Sequence, residues 1–386
     1  MTQEHLKTHI FYIPVHRDQL IPALLDGRGD IAVANLTISP ERQALVDFSQ
    51  PIMKNVEELV VTNKSAPALR NIHDLAGKEI HVRKSSSYYH SLIQANIKLS
   101  AAGYEYMRLI PADEQLEDED LLEMVNAGLI PAIVLDSHKA SFWKQVFKNI
   151  RVQKKLVLRS GAGIGWAYRK NSPAMSVAVN TFVRKNRKGT LMGNILLQRY
   201  LQDASYVENS LSSEEMEKFQ TTAKLFQQYA GEYEFDWLML IAQGYQESRL
   251  DQSTRSSAGA VGVMQMLPST AADKNVDIDS IHQLENNIHA GAKYMRFIRD
   301  RYFSDSEMDD MQQTLFSFAA YNAGPARVTR LRKEAASLGL NPDLWFDNVE
   351  VVAAKRIGRE TVQYVSNIYK YWVAYRLAES QGSLDS

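Results

Sequence analysis

FDWLMLIAQGYQESRLDQSTRSSAGAVGVMQMLPST, residues 235–270, divides into an apolar half and a polar half. Trp237, Leu238, Leu240, Ile241 and Tyr245 recur at roughly helical spacing and predict one buried helix face. Asp236 is placed to cap the start, and the Ser/Thr/Gly-rich run at 253–262 ends the helix and makes a loop. Glu247 then falls where the buried helix meets that loop. Two readings of such a carboxyl compete. One is a solvated helix-end glutamate, the ordinary position of a charged residue. The other is a partly desolvated acid with a raised pKa, as a general acid working near neutrality requires. The surrounding pattern is helical: from Ser213, which opens a capping pattern, to about 229, then 287–302, 314–320, 328–337 and 360–379.

What decides between the readings is the company Glu247 keeps. Glu247-Ser248, then Ser256 to Gly259 with Gly262-Val263-Met264-Gln265, then Ala320-Tyr321-Asn322-Ala323-Gly324, then Glu360-Thr361 with Tyr364 follow in order. Together they resemble the goose-type lysozyme and soluble lytic transglycosylase family, whose pattern reads E-S, S-x-x-G-A-x-G-L-M-Q, A-Y-N-A-G and E-T-x-x-Y-V. The resemblance implies an all-α, lysozyme-like catalytic domain acting on peptidoglycan glycan strands, with Glu247 as its single catalytic carboxylate. No cofactor and no metal is implied. Ser256 and Gln265 would hydrogen-bond the sugar or orient Glu247, and Met264 would form pocket wall. Tyr321 and Asn322 would hold the N-acetyl group, and Tyr364 would also face substrate. Glu360 would bind a neighbouring sugar, or simply sit at a helix N-terminus where the dipole favours an acid. Val362 stands where the family more often has Arg, so that residue's contacts are absent.

Glycosidases usually need two carboxylates, and Asp251, four residues after Glu247, is predicted to share its helix face. A hydrolytic muramidase therefore stays open beside the lytic reaction, as does a catalytically silent wall-binding or sensing protein.

The chain has 386 residues, enough for two or three domains; 45% are hydrophobic and 23% charged, an ordinary globular balance. Formal net charge is −1, so nothing global points to nucleic acid. There is no cysteine, which excludes disulfides and thiol catalysis. No apolar run approaches ~18 residues, and the first residues lack a signal-peptide pattern.

Before residue 204 the pattern changes. A strand at 10–15, a helix at 18–25 ending at Gly27, and the apolar run DIAVAN at 30–35 come first. DIAVAN reads as a buried strand of a parallel sheet. Strands at 58–62, 80–82 and 132–135 alternate with helices at 88–95 and 121–127, an α/β pattern. The acidic run at 113–123 reads as a solvated loop entering a helix, and the basic cluster at 184–188 as a solvated face.

Leu24-Leu25-Asp26-Gly27-Arg28-Gly29-Asp30-Ile31-Ala32, Leu36-Thr37-Ile38-Ser39-Pro40-Glu41-Arg42 and Val46-Asp47-Phe48-Ser49 resemble the amino-acid-binding periplasmic solute-binding proteins. Asp74-Leu75-Ala76-Gly77-Lys78, Ser85-Ser86-Ser87-Tyr88 and Gly163-Ile164-Gly165-Trp166-Ala167 continue the likeness. It implies a two-lobed α/β module over 1–203, with hinge crossings near 60–65 and 155–160, a linker at 204–213 and the catalytic domain at 214–386. Arg42, helped by Thr37, would take a ligand α-carboxylate on its planar fork of donors. Ser86 and Ser87 would serve the same anion, and Asp136 the ligand ammonium; Asp136 as an ordinary helix cap is the alternative. An amino acid or muropeptide is the expected ligand, regulating the catalytic domain. The chain begins in what looks like the middle of such a module, so an opening strand and helix, an export signal and any membrane anchor are expected outside it. The resemblance implies the periplasm, at the outer membrane.

Overall fold

Ser39, Ser86, Ser212 and Asp236 each start a helix by accepting a backbone N–H on the side chain, and these caps punctuate the fold. In a computed structural model the described residues are 12–13, 15–187, 189–191, 210–304 and 307–382. The chain divides into two compact units, one containing Val15–Glu208 and the other Asn209–Ser386. Of the strand expected at 10–15, residues 12, 13 and 15 are described and carry no strand, while 10, 11 and 14 lie outside the described residues; of the linker expected at 204–213, residues 204–209 lie outside them and Ser213 already starts a helix.

The first unit is α/β. Its strands are β1 (Ile31–Ile38), β2 (Asp47–Phe48), β3 (Met53–Asn63), β4 (Glu79–Val82), β5 (Arg108–Pro111), β6 (Ala132–Asp136) and β7 (Ile150–Tyr168). Between them lie α1 (Leu20–Leu25), α2 (Pro40–Leu45), α3 (Ser87–Ala101), α4 (Asp118–Ala127) and α5 (Ser137–Trp143), with α6 (Pro173–Asn186) after β7. The main sheet runs β1-β7-β3-β6, with β2 also on β7. Residues 60–65 take in the end of β3, and 155–160 lie inside the long β7.

Two sequence expectations change here. DIAVAN does not join a parallel sheet: β1 pairs antiparallel with β7, and its residues alternate unevenly between buried and open. The parallel ladder is β4 with β5. Nor is the acidic run wholly solvated, because Asp118 is buried between Arg83 and Lys139, to both of which it is ion-paired. Those cations hold its carboxyl well below the ordinary range against the opposing effect of burial.

The second unit is helical: α7 (Ser213–Tyr233), α8 (Trp237–Ser248), α9 (Pro268–Ala271), α10 (Leu284–Tyr302), α11 (Asp310–Ala323), α12 (Pro325–Ser337), α13 (Glu350–Ile357) and α14 (Arg359–Ser380). Helix α8 is its axis, with residues 238–245 all buried. Helix α7 approaches so closely that a Cβ on Gly244 would lie 2.7 Å from Phe226 Cζ; glycine is required there. Phe219, Phe226, Tyr375 and Trp345 fill the same core.

Candidate active site

The end of α8 fixes Glu247. Asp236 accepts from Leu238 N at 2.8 Å and Met239 N at 3.3 Å, and Trp372 Nε1 donates to its other oxygen at 3.1 Å. At the far end the chain leaves through Arg249 (φ 56°) and Leu250 (φ 59°), a left-handed exit that stops the helix after Ser248. Asp251 is therefore past the helix and does not share its face with Glu247. Its Oδ1 accepts from Ser253 N at 2.8 Å and Ser253 Oγ at 2.7 Å, bonds that lower its pKa and commit it to an exposed turn.

Glu247 is half-buried, and the Tyr364 hydroxyl donates to its Oε1. Desolvation pushes its pKa up to about 7, although the Tyr364 bond pulls the other way. Tyr364 itself is buried, with Gln243 Nε2 donating to its Oη at 3.3 Å. Burial, then the nearby Glu247 charge, raises the pKa of both Tyr364 and Tyr321 well above the ordinary phenol value, so both remain proton donors.

The motif loop is braced from beneath. Ser248 Oγ donates to Val263 O at 2.9 Å, tying the end of α8 to the loop. Asn287, fully buried on α10, accepts from Met264 N at 2.8 Å and donates to Val261 O at 2.8 Å. Gln252 accepts from Val263 N at 3.0 Å. Tyr321 Oη donates to Met264 O at 2.7 Å, closing the loop onto α11. Met264 itself packs against Gly291, where a Cβ would meet its Cγ at 2.6 Å.

Several expected substrate contacts take other work. Met264 has no exposed surface, so its side chain is core and lines no open groove. Ser256 is exposed, and its Oγ accepts from Ala260 N at 3.0 Å. Gln265 Nε2 donates to Gly262 O at 2.8 Å and Thr254 O at 3.3 Å. These bonds hold the loop, and among the described residues neither the Ser256 nor the Gln265 side chain hydrogen-bonds Glu247. Tyr364 meets the acid from beneath instead of facing open space. Asn322 is exposed, its Oδ1 accepting from Thr361 Oγ1 at 2.7 Å. Glu360 is exposed in the first turn of α14, the dipole-favoured place. Sequence reasoning missed Gln243, Gln252 and Asn287. The signal for Gln243 was a polar residue inside an apolar helical run.

The first unit holds a second polar cluster. Arg42 Nη1 donates to Thr37 O and Nη2 to Ser85 O, both at 3.2 Å. Ser87 Oγ lies 3.3 Å from Thr37 Oγ1 and 3.1 Å from Glu58 Oε1. Ser86 is occupied as the cap of α3, accepting from Tyr89 N at 3.3 Å and donating to Arg83 O at 2.8 Å. Asp136 begins α5 without capping it through its side chain, and its buried Oδ1 has no hydrogen-bond partner among the described residues. Burial raises its pKa to about 6. Glu58, directly opposite both Asp136 on β6 and Arg159 on β7, is also buried and was not foreseen. Thr37, Arg42, Ser87 and Asp136 thus gather around Glu58, while the Ser86 hydroxyl turns to its helix.

Comparison with known proteins follows this division. The family described as "Transglycosylase SLT domain" matches residues 224–342, and "Bacterial extracellular solute-binding proteins, family 3" matches residues 1–202. The membrane-bound lytic murein transglycosylase F of Shewanella woodyi is 30% identical over 402 residues, covering 99% of this chain and 80% of that protein. The chain belongs to this family. The enzyme of the same name from Pseudomonas fluorescens is 28% identical over 379 residues, covering 92% of this chain and 74% of its own. Among solved structures, the substrate-binding protein of an amino acid ABC transporter is similar over 52% of this chain and 84% of its own, at 20% identity and a TM-score of 0.44. An ancestral arginine-binding protein bound to arginine covers 52% and 83%, at 22% identity and a TM-score of 0.42. Membership in the transglycosylase F family accounts for both units, one of each kind, in a single chain.

Proposed function

We propose that this chain cleaves the β-1,4 bond between N-acetylmuramic acid and N-acetylglucosamine in peptidoglycan without water, leaving 1,6-anhydromuramic ends. The observation that carries the reading is the raised pKa of Glu247 at the end of a buried helix, in a chain of the lytic transglycosylase F family. With a pKa of about 7, a substantial share of Glu247 is protonated at neutral pH. That proton goes to the glycosidic oxygen as its bond to C1 breaks. The carboxylate left behind then takes the proton of the muramic C6 hydroxyl, whose oxygen bonds to C1. One residue serves as acid and then base: the C1–O4 bond breaks as a C1–O6 bond forms, O4 gains the proton that O6 loses by way of Glu247, and the strand parts into two fragments with no atom gained or lost.

Tyr364 supports the second half of this cycle by hydrogen-bonding the carboxylate form. Thr361 engages the Asn322 carbonyl, which leaves the exposed Asn322 amide N–H groups for the N-acetyl oxygen, where charge develops. Tyr321 supports the loop, because its hydroxyl proton is committed to Met264 O. Ser256 and Glu360, both exposed, remain candidates for flanking sugars. A hydrolytic route with Asp251 as second carboxylate gains no support, since that side chain is occupied by its turn.

The first unit acts as the regulatory part. Arg42 takes a carboxylate with the guanidinium donors that Thr37 and Ser85 leave unused, and Asp136 takes an ammonium, so an amino acid or a muropeptide fits. Control requires that this ligand bind two states of the chain unequally. The relatives are named membrane-bound, and we place the activity in the periplasm; no helix among the described residues is long and apolar enough to cross a membrane.

The test is Glu247→Gln assayed on purified peptidoglycan. General acid–base catalysis contributes about 10²–10⁴-fold, so release of soluble muropeptides should fall at least a hundredfold with the fold intact. Undiminished turnover would overturn the assignment.

A further inference from the structure

Gln243 sits one helical turn before Glu247, in the most apolar stretch of α8, with no exposed surface. Its Nε2 donates to Tyr364 Oη at 3.3 Å, while its buried Oε1 has no hydrogen-bond partner among the described residues. Neighbours at the same depth, Leu240, Ile241 and Ala242, are apolar. A buried carbonyl oxygen left unsatisfied costs stability that Met or Leu at this position would not incur. Packing therefore gives no reason for a glutamine here. The Tyr364 contact does.

We propose that Gln243 is a positioning residue for the general acid: its N–H occupies the Tyr364 oxygen and commits the Tyr364 proton to Glu247. The inference rests on the reading of Glu247 as acid and base. A tyrosine hydroxyl has one proton and lone pairs that accept. With the Gln243 amide donating to the oxygen from one side, Glu247 is the only carboxylate among the described residues in hydrogen-bond contact with the hydroxyl. Accepting an N–H also polarises the O–H and makes it a stronger donor. The chain Gln243–Tyr364–Glu247 therefore runs in a single direction, from amide to phenol to carboxylate. It holds the carboxylate after the first proton has left, when Glu247 must take the second from the C6 hydroxyl. It also works against desolvation, keeping the acid near neutrality and preventing its pKa from climbing further. Among the described residues the Gln243 side-chain amide donates to Tyr364 and not to the Glu247 carboxylate, so it acts on the acid through Tyr364.

The experiment compares Gln243→Met with wild type, using rates of anhydro-muropeptide release from peptidoglycan over pH 5–9. Weaker donation by Tyr364 raises the Glu247 pKa, so the alkaline limb of the rate profile moves up by about half a pH unit. The plateau rate falls about threefold to tenfold with KM for a soluble glycan fragment unchanged. The thermal midpoint is unchanged or higher. Gln243→Leu is read in the same way should the Met variant fail to fold. In a Tyr364→Phe background the Gln243 substitution moves the profile no further. An unmoved alkaline limb in Gln243→Met overturns the proposal, as does a full additional shift in the Tyr364→Phe background. Glu247→Gln run alongside separates the two claims: if it is inactive while Gln243→Met matches wild type, the positioning role alone fails. If it is active, the reading of Glu247 fails.

Discussion

Glu247 should destabilise the protein in which it works, and Glu247→Gln measures by how much. Its pKa in the folded chain is about 7, against an ordinary value of 4.5. Between those values the folded state keeps a proton that the unfolded chain has released. Stability is therefore fully present below pH 4.5 and is lost as pH rises through 7. The loss is roughly 3 kcal/mol at about 1.4 kcal/mol per pKa unit. Glutamine carries no charge at any of these pH values, and its side-chain oxygen still accepts from Tyr364. Wild type and variant should thus match at pH 4 and diverge by pH 8, where Glu247→Gln unfolds at a midpoint roughly 6–12 °C higher for a unit of this size. The assay is thermal unfolding of the whole chain by circular dichroism at both pH values, following the transition that responds to pH in wild type. An equal difference at pH 4 and pH 8, or a variant less stable at pH 8, would refute the reasoning.

Asp251→Asn keeps the turn to Ser253 and removes the charge; turnover should stay within about twofold of wild type, because general base catalysis would be worth at least a hundredfold. Tyr321→Phe removes a donor from the Met264 carbonyl and should cost about 1–2 kcal/mol in thermal unfolding together with a lower turnover rate. Arg42→Ala and Asp136→Asn should each weaken binding of a free amino acid or muropeptide by more than about tenfold in calorimetry, given the strength of charge-assisted bonds. Unchanged affinity in both would remove the ligand from that cluster.

Much of this arrangement was legible because the relevant signals are local. Asp236 followed by an apolar helical run specifies α8, and the Ser/Gly-rich run specifies its loop. The helix stop was harder to read. Arg249 and Leu250 adopt left-handed angles without a glycine to announce them, and that exit is what removes Asp251 from the Glu247 face. Strand pairing is long-range, so DIAVAN revealed a strand without revealing that its partner, β7, lies more than a hundred residues on and runs antiparallel. Met264 read as pocket wall because motif proximity does not say which side of the backbone a side chain takes; Gly291 opens a space for it in the core. In the sequence Glu58 is only the first residue of a strand pattern, and its importance comes from the rung it shares with Asp136 and Arg159.

The most direct test of the central claim is digestion of purified peptidoglycan in isotopically labelled water, with mass spectrometry of the soluble products. Non-hydrolytic cleavage through Glu247 predicts anhydro-muropeptides, one water lighter than hydrolysed ones and free of label at the new end. Reducing-end muropeptides carrying the label would contradict it, and would make the protein a hydrolase whose water must be activated next to Glu247.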